Sequence, residues 1–152
     1  DTRLRKLDDG EFDAIVLAEA GLKRLGLDAR ISATLSRPLM LGAVGQGALG
    51  IECRADDEFS LGVLDQLTNR DVFDSVEAER SLLRALRAGC HAPVAVHSTV
   101  AGVELTLEAR VLSAEGETLI ETTQTGDRSS AIDIGLAAAD ALRSQGAAEL
   151  LE

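Results

Sequence analysis

The clearest pattern in the chain is an alternation of period 2. Val103, Leu105, Leu107, Ala109 and Val111 are apolar, with Glu104, Thr106, Glu108 and Arg110 between them. Successive side chains of a strand point to opposite faces, so this pattern predicts a half-buried strand. Ser113-Ala114-Glu115-Gly116 predicts a turn, and Glu117 to Thr125 a returning strand. The period-2 region begins at Pro93. Before it, the period is helical. Asp71 to Ala88 predicts a helix with Val76, Leu82, Leu83 and Leu86 facing inward and Glu79, Arg80, Arg84 and Arg87 in water, ended by Gly89. Asp56 to Leu67 predicts a shorter one, with Asp56 as N-cap and Leu61, Leu64 and Leu67 on one face. After the strands, Ser130 predicts the cap of a helix running to about Ser144, with Asp133 completing an approximate capping box and Gly146 as the stop. Residues 69–152 thus read as a small α+β domain, an antiparallel sheet with helices.

The first third reads differently. Thr2 to Asp9 carries Leu4 and Leu7 at helical spacing before Gly10, as the tail of a helix that starts outside the chain. Phe12 to Ala18 is a short apolar run, predicted as a buried strand, and Ala20 to Leu25 a short helix stopped by Gly26. This is a piece of an α/β unit whose strand needs partners from elsewhere. Pro38 to Gly47 is loop-like, and Leu49 to Arg54 is a further strand candidate. The chain opens on Asp1 rather than Met, which points to a fragment or a processed piece.

Composition narrows the function. With 152 residues there is room for one ordinary domain or two small ones. The chain has three Phe, no Tyr and no Trp, so its core is aliphatic and base-stacking on nucleic acid is disfavoured. The net charge of −11 also disfavours a polyanionic partner. Its distribution is uneven. Residues 1–47 hold seven Lys/Arg and seven Asp/Glu, whereas residues 48–152 hold eight and nineteen. An anionic ligand is therefore sought near Arg3, Arg5, Lys6, Lys23 and Arg24, although these also fit solvated helix faces. No apolar run is long enough to span a membrane, and no signal-peptide start is present.

Two cysteines, Cys53 and Cys90, fit a reduced, cytoplasmic protein rather than a disulfide scaffold. With His91 and His97 they match no standard zinc spacing, so no metal is expected. Gly45-Gln46-Gly47-Ala48-Leu49-Gly50 satisfies G-x-G-x-x-G, but a loop precedes it and a strand candidate follows. A dinucleotide site needs the reverse context, so these small residues read as a flexible crossing between domains. Cys90 stands between Gly89 and His91-Ala92-Pro93, on a loop after a helix. A buried structural thiol is one reading, and a Cys–His nucleophile with His91 or His97 is another. Adjacent strand residues face opposite ways, which makes His91 a poor base for Cys90.

Arg87-Ala88-Gly89-Cys90-His91-Ala92-Pro93-Val94 closely resembles the cofactor-attachment segment of the porphobilinogen deaminase (hydroxymethylbilane synthase) family. Thr2 to Asp8, Phe12 to Ala18, Ala20 to Gly26, Val44 to Ala48, Ile51 to Arg54 and Ala78-Glu79-Arg80 agree in the same order. The resemblance spans essentially the whole chain and matches the C-terminal half of the family. It implies a transferase of tetrapyrrole and heme biosynthesis that polymerises four porphobilinogens, with release of ammonia, on a dipyrromethane cofactor tied by a thioether to Cys90. It implies Arg3 and Arg24 as carboxylate-binding residues, and Gln46 near the cleft at the interdomain crossing. It implies a fold in which residues 1–47 end a second, periplasmic-binding-protein-like α/β domain, 48–68 return toward the first, and 69–152 form the third. The implied partners are porphobilinogen, the growing polypyrrole and an N-terminal half, with a monomer when full-length. The catalytic Asp of the family falls in that other half, so no catalytic residue is assigned here and the chain alone is expected to be inactive. Ala88 where Gly is usual, His91 where Gln is common and Glu77 where Thr is common are departures that leave the nucleophile in place. The alternative is a non-catalytic α+β module, kept for binding or assembly.

Overall fold

A computed structural model describes residues 2–37, 39–89 and 92–151. It divides into two compact units, Asp1–Leu39 and Met40–Glu152. In the first, α1 (Thr2–Asp8) and α2 (Glu19–Arg24) are followed by a 3-10 turn at Asp28–Arg30. Both helices end through a glycine. Gly10, at φ 75°, donates to the Leu7 carbonyl while Glu11 donates to that of Lys6. Gly26, at φ 67°, repeats the arrangement with Lys23, and Leu27 with Leu22. Only a residue without a Cβ takes this left-handed conformation at little cost. Exposed ion pairs, Lys6–Glu11 at 2.9 Å and Arg30–Asp8 at 2.5 Å, tie the unit together at its surface. The predicted strand Phe12–Ala18 does not form. The segment is irregular, because no neighbouring strand among the described residues offers a ladder for its N–H and C=O groups.

The second unit carries the core. Strands β1 (Val94–Ala101), β2 (Glu104–Leu112) and β3 (Leu119–Asp127) form an antiparallel sheet in that order. The register pairs Val96 with Ala109 and Leu105 with Gly126. The predicted alternation holds along β2, where Leu105, Leu107, Ala109 and Val111 are buried. Val103 instead sits before the strand, in the hairpin turn, and is exposed. Helices α4 (Arg70–Leu86) and α5 (Ala131–Ser144) pack with the sheet into one cluster of fourteen buried aliphatic side chains. Ala78, Leu82 and Leu86 of α4 and Ala131, Ile134, Ala138, Ala139 and Leu142 of α5 are the helical contribution. Gly135 lets the two helices approach closely: a Cβ there would stand 2.3 Å from the Ala78 carbonyl oxygen. No helix among the described residues is long and apolar enough to cross a membrane.

Four predicted details shift. Leu49–Arg54 forms no strand, again for want of a partner. Helix α3 (Glu58–Leu67) is capped by Asp57, not Asp56, because the Asp57 carboxylate reaches the Ser60 N–H. None of its residues is fully buried, so the Leu61 and Leu67 face lies open. At α5, Ser130 makes no side-chain cap. Asp127 instead accepts from the Ser129 N–H and caps the preceding 3-10 turn. Gly146 does follow α5 in the left-handed region, at φ 94°.

Candidate functional site

The sequence places its candidate nucleophile, Cys90, between α4 and β1. Asn69 starts α4 by accepting from the N–H groups of Asp71 and Val72. Its far end was assigned to Gly89 by the sequence, but the helix stops earlier. Arg87 takes the left-handed conformation, at φ 54°, and donates to the Arg84 carbonyl while Ala88 donates to that of Leu83. This is the same closure as at Gly10 and Gly26, with an arginine where those helices use glycine. A further tie comes from α5, whose Arg143 guanidinium donates to the Ala85 carbonyl. On the other side, Leu112 donates to the Pro93 carbonyl at 3.1 Å, holding the start of β1 to β2. Cys90 and His91 lie outside the described residues. Gly89 and Ala92, on either side of them, are joined by a 3.0 Å hydrogen bond. In sequence, Cys90 is thus flanked by a helix and a strand that both contribute to the core.

Arg3 lies on α1 and Arg24 in the last turn of α2, both in the first unit and both exposed. Arg24 makes no ion pair among the described residues. Gln46 belongs to the second unit. Its Oε1 accepts the Ala43 N–H at 2.9 Å, closing a turn in which Gly45 and Gly47 have φ of 68° and 87°. The Gly45–Gly50 segment is flanked by neither strand nor helix and lies within the second unit. His97 sits on β1 opposite Glu108, and Cys53 is an exposed free thiol. Among the described residues no group of three or more His, Cys, Asp or Glu side chains could hold a metal.

Sequence reasoning missed Glu79. Expected in water, it is 8% exposed. Its Oε2 accepts the Gly45 N–H at 2.7 Å and its Oε1 accepts the Ser98 hydroxyl at 2.6 Å. The signal was available in the spacing. Residues 79, 82 and 86 lie at i, i+3 and i+7 and share one helix face, and Leu82 and Leu86 are core residues.

Two family models match this chain. One, described as porphobilinogen deaminase, dipyromethane cofactor binding domain, matches residues 1–61. The other, described as porphobilinogen deaminase, C-terminal domain, matches residues 73–144. The chain belongs to the porphobilinogen deaminase family. Arg3 and Arg24 fall in the first match and the α4–β1 join in the second. Curated proteins named porphobilinogen deaminase are similar throughout. That of a Nostoc strain is 47% identical over 150 residues, and that of Brevibacillus brevis 45% over 152. One from Prochlorococcus marinus is 44% identical over 150 residues. Each comparison covers 99% of this chain but only 46–48% of the relative, so the chain spans about half the length of the porphobilinogen deaminases it matches.

Proposed function

We propose that this chain works as part of a hydroxymethylbilane synthase, which joins four porphobilinogens and releases ammonia on a dipyrromethane held by Cys90. The observation that carries the reading is the family attachment segment Arg87–Val94, which falls at the α4–β1 join. In this reading residues 1–47 end a periplasmic-binding-protein-like domain, 48–68 return toward another, and 69–152 are the cofactor-bearing α+β domain. The completing partner is an N-terminal half of the family's usual length, and the setting is a reducing cytoplasm in which both thiols start free.

The residues present suit the group. The Cys90 thiolate is the nucleophile for attachment: as porphobilinogen loses ammonia, its exposed methylene carbon accepts the sulfur lone pair and a C–S bond forms. The dipyrromethane, once bound, supplies the pyrrole carbon to which further units are added. The thioether is neither made nor broken in those additions, so Cys90 serves as an anchor. An anchor needs a rigid support, and α4 provides one through Leu82 and Leu86 in the core. Each pyrrole ring bears an acetate and a propionate, and guanidinium groups bind carboxylates in pairs of charge-assisted hydrogen bonds. Arg3 and Arg24 fill that role, with Arg24 having no internal ion pair to give up. The neutral first third, in a chain of −11, keeps the local field from repelling an anionic substrate.

Intact mass tests the reading. Chain produced together with the N-terminal half of a family relative, in the presence of porphobilinogen, is expected to gain two porphobilinogen units less two ammonia. The gain is expected to vanish in Cys90→Ser. An unmodified Cys90 in that pairing would overturn the assignment and favour a non-catalytic module.

A further inference from the structure

The buried carboxylate of Glu79 has no use in the scheme above. A buried charge is costly unless its lone pairs are filled. Here they are filled by two neutral donors, the Gly45 N–H and the Ser98 hydroxyl, and Glu79 makes no ion pair among the described residues. The two donors come from different elements. Ser98 is on β1, Glu79 on α4, and Gly45 in the loop before α3. That loop has little conformation of its own, since Gly45 and Gly47 both take positive φ and glycine has the widest choice of backbone states. Its shape is set by its bonds: Gly42 exchanges two hydrogen bonds with Val96 of β1, at 3.1 and 2.8 Å, and Gly45 is held by Glu79. Within the loop, the Ala43 N–H fixes the Gln46 amide with its oxygen inward. The Nε2 group, which has no partner among the described residues, is then a donor for a carboxylate.

We propose that Glu79 is a positioning residue, tying the Gly42–Gly47 loop, and Gln46 with it, to α4 and β1, the elements that flank Cys90 in sequence. Its benefit to turnover rests on the function proposed above. Its structural half does not.

The test compares Glu79→Leu with Glu79→Gln. Glutamine can place its carbonyl on Gly45 and its amide on Ser98, keeping both contacts without the charge. In the chain itself, amide exchange at Gly45 is expected to accelerate about tenfold or more in Glu79→Leu. It should stay near the original rate in Glu79→Gln, with the Leu105 and Leu107 amides protected throughout. Where Glu79→Leu does not fold, Ser98→Ala removes one donor only, and a severalfold acceleration at Gly45 is expected. In the enzyme completed by an N-terminal half, Glu79→Leu is expected to raise KM for porphobilinogen, and adding Gln46→Ala to raise it little further. Unchanged Gly45 exchange in a folded variant, failure of Glu79→Gln to restore it, or additive effects on KM overturn the proposal. Absence of any adduct on Cys90 of the unaltered chain, with Gly45 responding as described, overturns the functional reading instead.

Discussion

Of three stretches that read as strands, Phe12–Ala18, Leu49–Arg54 and Leu105–Val111, only the last became one. Phe12–Ala18 and Leu49–Arg54 are irregular, with Val16 66% and Leu49 91% exposed. The run from Leu105 to Val111 is β2, and its inward side chains are fully buried. Hydrophobicity does not separate them. What separates them is neighbours: β2 lies between β1 and β3, so both its edges are paired, and α4 and α5 cover one face. Neither other run has a ladder partner among the described residues. A helix escapes this dependence because its hydrogen bonds run within the segment. Thus α2 forms in the first unit without one fully buried residue.

The largest test of this contrast is Gly135→Ala. The added methyl would stand 2.3 Å from a backbone oxygen and 2.8 Å from Ser81 Cβ, so α4 and α5 must separate. A loss of about 3 kcal/mol is expected in denaturant melts of the whole chain. Val16→Thr and Leu49→Thr are expected to change stability by less than about 0.5 kcal/mol in the same melts. A comparable loss from Leu49→Thr would mean that this run packs as β2 does, and the contrast would fail.

A smaller test concerns helix ends. Arg87 pays the left-handed penalty that Gly10 and Gly26 avoid. Arg87→Gly is therefore expected to stabilise the second unit by about 0.5–1 kcal/mol, read as a higher melting midpoint. A lower midpoint would show that the arginine side chain has a stabilising contact that outweighs its backbone strain.

The smallest effects are expected from the two carboxylate caps. Hydrogen bonds from the Ser60 backbone and hydroxyl hold the Asp57 carboxyl below its usual range. The Ser129 hydroxyl and backbone N–H do the same for Asp127. Because both folded pKa values are depressed, their stabilisation is complete above the unfolded carboxyl pKa and is lost as pH falls through the folded value. In a carbon-detected NMR titration both carboxyls are expected to titrate below an unfolded aspartate, with Ser60 and Ser129 amides shifting together with them. A midpoint at or above the unfolded value contradicts the caps. Asp57→Asn, which keeps an acceptor, is expected to hold the Ser60 amide in place across the same range.

Much of the candidate site could be read from residues in a row. The family resemblance of the segment around Cys90, the alternation of β2 and the approximate spans of α1, α2, α4 and α5 needed no coordinates. Gly10, Gly26 and Gly146 marked helix ends because a positive φ is a demand of one residue on itself. Glu79 was legible only in part. Its spacing from Leu82 and Leu86 placed it on the buried face, but nothing in the sequence said that Gly45, thirty-four positions earlier, would supply its hydrogen bond.

The chain by itself therefore determined what depends on neighbours in sequence: helical turns, the glycines that end α1, α2 and α5, and the inward and outward sides of β2. Tertiary structure decided which apolar runs became strands, that α4 closes at Arg87 rather than Gly89, that Gly135 is where two helices meet, and that a glutamate is buried. The reason is the range of the interactions. A helix closes its hydrogen bonds within four residues. A strand, a helix–helix contact and a buried carboxylate are completed only by groups that the folded chain brings from far away.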